Sequence, residues 1–424
     1  MIHNDYAWHA RELTQQVLPF WDGAFDDRCG GVFTCYSNAG DRLLSTDKYV
    51  WSQGRMLWCL SEMLVSQVVC GELSSARRTM YRSQADALYR FLHAHVLLDE
   101  DQGVCAFLTD REGTPKEPVA GKGLYTSFYV DCFVIMGYAR YAVLTKDRSI
   151  LDEAVAVFRR MQAFMELHGV RSEPYVLPPG HATQAVLMIL CNTAWVLATS
   201  LESFGSSERA WFVDFARGQA KKILTDFYDP QRELLREIVS PEECRDTLLA
   251  RHCNPGHAIE CMWFTLDCLD DAQSVDRMAS VVLASLQLGW DSQHGGLLRY
   301  VDRDGGQPQG VRGDSAFEDL VVRTWDYKLW WPHAEALYCT ARMYRVTGNE
   351  VFVKWYQRLK EYVARVFPAG PGREWIQIRN RAGVPLEAVV ALPVKDPYHI
   401  MRMHVLAMEL FGNQHEMRLD DYAG

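Results

Sequence analysis

The chain has 424 residues, 48% of them hydrophobic, and a formal net charge of −10. That length buries a large core, enough for two or three domains or for one repeat-built unit. An acidic balance with no basic run excludes wrapping of nucleic acid, which needs clustered Lys and Arg.

The first ten residues, Met1 to Ala10, are polar and lack an apolar h-region, and no run approaches 18 apolar residues. Neither a signal peptide nor a membrane span is expected. The twelve cysteines contain no CxxC pair, and several, such as Cys59 and Cys191, sit in apolar stretches. This pattern fits free thiols in a reducing compartment rather than a disulfide framework or zinc cluster. A cytoplasmic protein is the plain reading.

Helical periodicity predicts twelve helices, at about 5–20, 47–69, 76–96, 123–145, 148–168, 181–204, 208–226, 256–269, 271–289, 325–347, 349–366 and 397–412. Glycine-rich segments with strand character separate the first helix from the second, the third from the fourth, and several later odd–even pairs. They are 30–44, 103–115, 295–306 and 374–385. Polar turns with Gly between short apolar runs predict β-hairpins. Other links, such as that between the eighth and ninth helices, are short and polar. The chain thus reads as six units of helix, long loop, helix. Such pairs cannot bury their apolar faces alone and can do so by closing into a ring. The expected architecture is all-α: one (α/α)6 barrel over residues 1–424, with short β-hairpins gathered at one mouth, where the even-numbered helices begin. An open solenoid is the competing arrangement.

Each even helix carries a polar or aromatic group near its start: Arg55, Tyr129, His181, His257, His333 and His399. A ring would turn all six toward one mouth. His257 and Glu260 are three apart and share a helix face, so Glu260 is expected to orient or charge-tune His257. His399 and Arg402 have the same spacing, and Trp51 and Arg55 are four apart. Trp330 and Trp331 supply aromatic surface for stacking on a sugar ring. His333 and Glu335, two apart, should point different ways.

A lone His in an apolar helix is more often a satisfied core group, and His93, His95, His168, His404 and His415 read that way. Asp131 and Asp326 read as surface or cap residues. His257 and His399 differ: each follows a proline by two residues at a helix start and has a charged partner one turn on. Metal binding competes for the four histidines 181, 257, 333 and 399, but no HxH or HxxxH pair occurs among them, so no metal is expected.

The segments DKYVWSQGR, NPGHAIE, KLWWPHAEA and PYHIMR, in order from about Phe20 to Phe411, resemble the signature blocks of the N-acylglucosamine 2-epimerase superfamily, which includes mannose isomerases and cellobiose 2-epimerases. Phe25-Asp26 with Gly30-Gly31 and Trp290-Asp291 with Gly295-Gly296 resemble further elements. The resemblance implies an (α/α)6 barrel without an obligatory metal or cofactor and a small-molecule sugar substrate. It implies that Arg55, His257, Glu260 and His399 match catalytic positions and that Tyr129 and His181 contact sugar. Trp51, Trp331, His333 and Arg402 complete the expected substrate-binding set. NPGH with WWPH looks most like the acylglucosamine branch; the residue matching His333 is commonly Gln in the cellobiose branch. Asp396 departs from the small residue usual before this motif, Met401 from Pro or Ser, and His181 from an aliphatic residue or Met, which keeps an aldose–ketose isomerase in view. A homodimer is a further implication. A nucleotide effector stays open, although no GxxxxGK[ST] pattern is present.

These groups suit proton transfer at C2 of an open-chain sugar, because imidazole titrates near working pH. His257 and His399 are the expected pair, on opposite faces of C2, with Arg55 stabilising the enediolate. Two other classes compete. A glycoside hydrolase would need two carboxylates, for which Glu260, Glu335, Asp131 and Asp326 are candidates. A sugar-binding protein without turnover would be expected to have lost part of the acid–base set.

Overall fold

A computed structural model describes residues 5–390 and 392–412. Helix α1 runs through three segments of different winding, Tyr6–Arg11, the π-helical Glu12–Val17, and Leu18–Asp22. The other barrel helices are α2 Val50–Val65, α3 Ser75–His95, α4 Tyr129–Thr145, α5 Arg148–His168, α6 Gln184–Glu202, α7 Arg209–Lys222, α8 Pro255–Cys268, α9 Ala272–Gly289, α10 Trp330–Thr347, α11 Glu350–Val366 and α12 Tyr398–Gly412, and shorter helices at Gln67–Glu72, Leu248–Arg251 and Ala316–Thr324 lie in the links. Even-numbered helices touch in sequence from α2 round to α12, and α12 returns to α2. Each even helix also packs on the odd helix that follows it, and α12 packs on α1. This is the closed (α/α)6 barrel, with an inner even ring and an outer odd ring.

Polarity separates the rings. In α4 every residue from Val130 to Ala142 except Arg140 is buried, as expected of a helix with no solvent face. By contrast α11 buries Phe352, Val353, Tyr356, Leu359, Tyr362 and Val363 and leaves its other side to water. One inner helix, α6, corrects the membrane expectation in part: it is long and apolar enough to span a bilayer by length and composition. In the fold it is a core helix of the inner ring. Gly54 and Gly137 allow α2 and α4 to touch. A Cβ on Gly54 would lie 2.6 Å from the Phe133 carbonyl, and one on Gly137 would lie 2.7 Å from the Gly54 oxygen.

The start of four inner helices is corrected. Helices α2, α4, α6 and α10 begin three to six residues later than periodicity predicts. The residues before three of them form two-residue strands: Lys48–Tyr49, Ala182–Thr183 and Lys328–Leu329. Before α4, Ser127 makes a bridge to Ser172. The predicted hairpins are likewise partly replaced. The loop at 103–115 does carry one, Leu108–Thr109 with Pro115–Lys116. The dominant pairing, however, joins the strand leading into one inner helix to the loop before the next. Lys48 pairs with Thr109, Thr183 with Ile238, His252 with Asp302, and Lys328 with Arg379. The Lys395 N–H donates to the Thr34 carbonyl at 2.8 Å and continues this belt past the ring's seam.

Two halves of the belt repeat one clamp. Asp26 accepts Lys48 Nζ at 3.1 Å and both Nε and Nη2 of Arg111 at 2.9 Å. Asp291 accepts Lys328 Nζ at 3.1 Å and Nε and Nη2 of Arg381 at 2.8 and 3.1 Å. Each lysine also donates to a glycine carbonyl, Gly30 or Gly296. Five residues beyond each lysine an inner-helix side chain fastens the same loop. Gln53 Oε1 accepts Val32 N–H at 2.8 Å, and His333 Nε2 accepts Leu297 N–H at 2.8 Å.

This repeat corrects the expectation for His333. Its Nδ1 donates to the Leu329 carbonyl at 2.6 Å, it is fully buried, and its ring stacks on Tyr362. Burial holds its pKa down to about 3, so it is a neutral loop fastener and not a sugar contact. Asp131 is also corrected: it is buried, accepting Tyr125 OH at 2.8 Å and Cys105 N–H at 3.0 Å. His404 is buried against His9, and His415 lies outside the described residues.

Candidate active site

The start of α8 sets His257. Asn254 caps the helix, its Oδ1 accepting the His257 N–H at 3.2 Å, and Pro255 occupies the first turn. Gly256 lets this turn lie against α10: a Cβ there would be 2.6 Å from the Trp331 ring. The His257 and Trp331 rings are 5.0 Å apart. On the first turn of α12, Asp396 Oδ2 accepts the His399 N–H at 3.0 Å, and the His399 ring is 6.0 Å from that of Trp331. One indole therefore neighbours both imidazoles.

Each imidazole is held through Nδ1 by a carboxylate. His257 Nδ1 meets Glu237 Oε1 at 2.9 Å, and His399 Nδ1 meets Glu335 Oε1 at 2.6 Å. Among the described residues neither Nε2 has a hydrogen-bond partner, so both are available to a ligand. Burial disfavours the charged form of His257, but the charge and hydrogen bond of Glu237 outweigh it and raise its pKa above 6.5. In return His257 holds the buried Glu237 below the ordinary carboxylate range, against the desolvation that would raise it.

The orienting role expected of Glu260 is therefore corrected, while its charge does act on His257 and helps raise the pKa. In α8 the His257 side chain leans back toward the helix start, so its orienting carboxylate comes from the preceding loop, at Glu237. Glu260 instead accepts Arg402 Nη2 at 2.5 Å and stands 3.9 Å from His399 Nδ1. Arg402 Nη2 also reaches Glu335 at 2.7 Å, and Nη1 donates to Tyr398 OH at 3.2 Å. Arg402 is buried by these contacts, so it supports the carboxylates from behind and does not face a sugar. Glu335 feels burial first, which would raise its pKa, yet Arg402 and His399 bring it down to about 2. Glu260, Glu335 and His399 offer ligand atoms within 4.8 Å of one another. The cation among these groups is the Arg402 guanidinium.

Arg55 lies one turn into α2. Its Nη1 donates to Asp396 Oδ1 at 2.8 Å, and its guanidinium is 4.7 Å from Trp51, 4.0 Å from Phe133 and 5.1 Å from Tyr398 ring centres. Its Nε is buried without a partner among the described residues. Trp51 and Tyr129, both half-buried, are 5.7 Å apart ring to ring. The structure thus brings together His257, His399, Arg55, Glu260, Trp51, Tyr129 and Trp331. It does not bring in His333, and His181 precedes the Ala182–Thr183 strand instead of opening α6, where its Nδ1 meets the Pro179 carbonyl at 3.2 Å.

Sequence reasoning missed Glu237 and Tyr398, and it named Glu335 only as a candidate hydrolase carboxylate, not as the partner of His399. Glu237 follows no spacing rule, because it reaches His257 across a loop. Glu335 did leave a signal: it is four residues after Trp331, as Arg55 is four after Trp51, and i,i+4 positions share a face.

A closed helical toroid with two carboxylate-held imidazoles and aromatic walls defines an acid–base enzyme for a small polar ligand. A model of the family N-acylglucosamine 2-epimerase (GlcNAc 2-epimerase) matches residues 31–403. The chain belongs to this family. It is 27% identical to N-acylglucosamine 2-epimerase of Bos taurus, covering 96% of this chain and 92% of that one. Against the Homo sapiens N-acylglucosamine 2-epimerase the identity is 25%, with 96% and 90% covered. The crystal structure of a sugar epimerase from a ruminal bacterium superposes with a TM-score of 0.74 at 19% identity, over 95% of this chain and 98% of that one, which establishes the fold.

Proposed function

We propose that the protein is a sugar 2-epimerase that interconverts N-acyl-D-glucosamine and N-acyl-D-mannosamine in their open-chain forms. The observation that carries this is the matched pair of imidazoles beside Trp331, each held at Nδ1 by a carboxylate and, among the described residues, free at Nε2. The proposal also draws on the names of the curated relatives. Cytoplasmic residence and a homodimer belong to the same proposal; the twelve free cysteines support the first, and light scattering on the purified protein tests the second.

One neutral imidazole takes the C2 proton through Nε2. The C–H electron pair moves into the C1 carbonyl and gives an enolate, or an enediolate when C2 bears a hydroxyl. Arg55 stabilises the developing oxygen charge in a nearly closed site. The other histidine, as imidazolium, returns a proton to the opposite face of C2. Glu237 and Glu335 fix the tautomers and stabilise whichever imidazolium forms. Acid–base groups of this kind contribute about 10²–10⁴-fold each. Trp331, Trp51 and Tyr129 supply stacking surface for the chain of the sugar.

The test is incubation in deuterated water with N-acetylglucosamine, N-acetylmannosamine, mannose, glucose and cellobiose, followed by NMR. Deuterium at C2 of an N-acetylhexosamine, with epimer formation, is expected. Deuterium at C1 of a ketose product would instead mark an aldose–ketose isomerase. No deuterium in any sugar would refute the proposal.

A further inference from the structure

We propose that Asp396 sets charge selectivity at the C1 end of this pocket, so that it accepts the uncharged aldehyde form of a sugar and rejects the corresponding aldonate, which carries a carboxylate at C1. The inference rests on reading the pocket as a sugar site. It adds a substrate class and a residue that the proposed reaction does not itself require.

A bare guanidinium beside a sugar's carbonyl end would hold a carboxylate better than an aldehyde, because Arg binds carboxylates through paired, charge-assisted hydrogen bonds. Arg55 is placed for such an error. It is fixed between Trp51, Phe133 and Tyr398, and its Nε lacks a protein partner among the described residues. Asp396 prevents it by already matching that charge. Its Oδ1 is 2.8 Å from Arg55 Nη1, with side chains 10% and 4% exposed for Arg and Asp, so water screens the pair little.

Asp396 is also unable to swing aside. Its other oxygen accepts Trp330 Nε1 at 3.2 Å and the His399 N–H at 3.0 Å. Three elements, α2, α10 and α12, therefore hold one carboxylate. Burial would raise its pKa, but Arg55 and then His399 bring it below the ordinary value, so it stays ionised.

Apart from Arg299, the remaining charges in the pocket are paired. Arg402 is shared by Glu260 and Glu335, and Glu237 faces His257. Arg299, whose charge also acts on His257, donates only to the neutral Thr324 Oγ1 and Val390 carbonyl, and it is 6% exposed, so it stands behind the pocket wall. Within this set, removal of the Asp396 charge leaves Arg55 as the cation that faces an incoming ligand unmatched. An incoming aldonate would then gain a partner; in the native protein it meets Asp396 across a shared guanidinium.

The test compares the wild-type protein with Asp396→Asn and Asp396→Glu. Asparagine keeps an oxygen for the His399 N–H, since Asn caps helices as well as Asp does, and loses the charge. Binding of N-acetylglucosaminate and of the neutral alditol N-acetylglucosaminitol is followed by tryptophan fluorescence at fixed ionic strength, because Trp51 and Trp331 line the pocket. Asp396→Asn should favour the aldonate over the alditol by about tenfold more than wild type does, a change worth one decade in the ratio of dissociation constants. Asp396→Glu should keep a ratio close to wild type. An unchanged ratio in Asp396→Asn overturns the inference, whether or not the deuterium experiment succeeds. A shifted ratio without deuterium exchange keeps it while refuting the epimerase reading. If wild type binds neither ligand, both fall.

Discussion

Glu335 and His399 form the shortest tie between a carboxylate and a site imidazole, 2.6 Å from Oε1 to Nδ1. The same carboxylate receives Arg402 Nη2 at 2.7 Å and Trp263 Nε1 at 2.8 Å. Glu335 thus fixes His399 while being fixed from two sides. Glu335→Gln should keep the shape but offer an amide where an ionised acceptor is needed. A loss of about 10²-fold in kcat is expected, with little change in KM. Steady-state kinetics on the folded variant check this; a KM effect alone would assign Glu335 to binding.

Glu237 raises the pKa of His257 against burial, which acts the other way. Glu237→Gln removes the larger raising influence, leaving that of Glu260 against burial. The group needed as a neutral base would then lose its proton at lower pH. The acid limb of kcat/KM should move to lower pH while kcat falls. A pH–rate profile of wild type and variant reads this directly; an acid limb shifted upward would contradict the account.

His333 and Gln53 hold equivalent loops from equivalent positions, five residues after Lys328 and Lys48. His333→Gln should therefore fold and keep most of its activity, whereas His333→Ala should lose about 1–3 kcal/mol through an unsatisfied buried Leu297 N–H. The pH dependence has a defined sign. The folded pKa of His333, about 3, lies below the ordinary 6.5. Its contribution is full above about pH 6.5 and is lost as pH falls from there toward 3. Thermal melts from pH 7 to pH 4 should show a shallower acid decline for His333→Gln than for wild type.

The two clamps predict a matched pair of effects. Lys48 and Lys328 have no exposed side-chain surface, and each faces an aspartate at 3.1 Å. Asp26→Ala and Asp291→Ala each strand a buried ammonium, at an expected cost of about 3–5 kcal/mol. Chemical unfolding should find the two losses similar, and His257 and His399 chemistry should survive in the fraction that stays folded.

Much of this was legible in the chain. The 3.6 period, the alternation of long and short links, and the order of Arg55, His257 and His399 gave the barrel and its working mouth. What stayed hidden was non-local. Glu237 meets His257 over twenty residues of chain, Glu335 meets His399 between helices, and Asp396 meets Arg55 across the seam of the ring. Spacing rules describe one helix face and say nothing of such meetings. His333 misled for the reverse reason: its position beside Trp331 was favourable, but two residues along a helix is nearly the opposite side. The late starts of α2, α6 and α10 were hidden because their lead-in strands are two residues long, too short for any period.

The central claim is that His257 and His399 serve opposite faces of C2. It is tested most directly by solvent deuterium exchange in His257→Asn and His399→Asn, starting separately from N-acetylglucosamine and N-acetylmannosamine. Both variants should fail to epimerise, and each should still exchange the C2 hydrogen of one epimer, a different epimer for each variant. Near-normal epimerisation in either variant, or retained exchange of the same epimer in both, would contradict it.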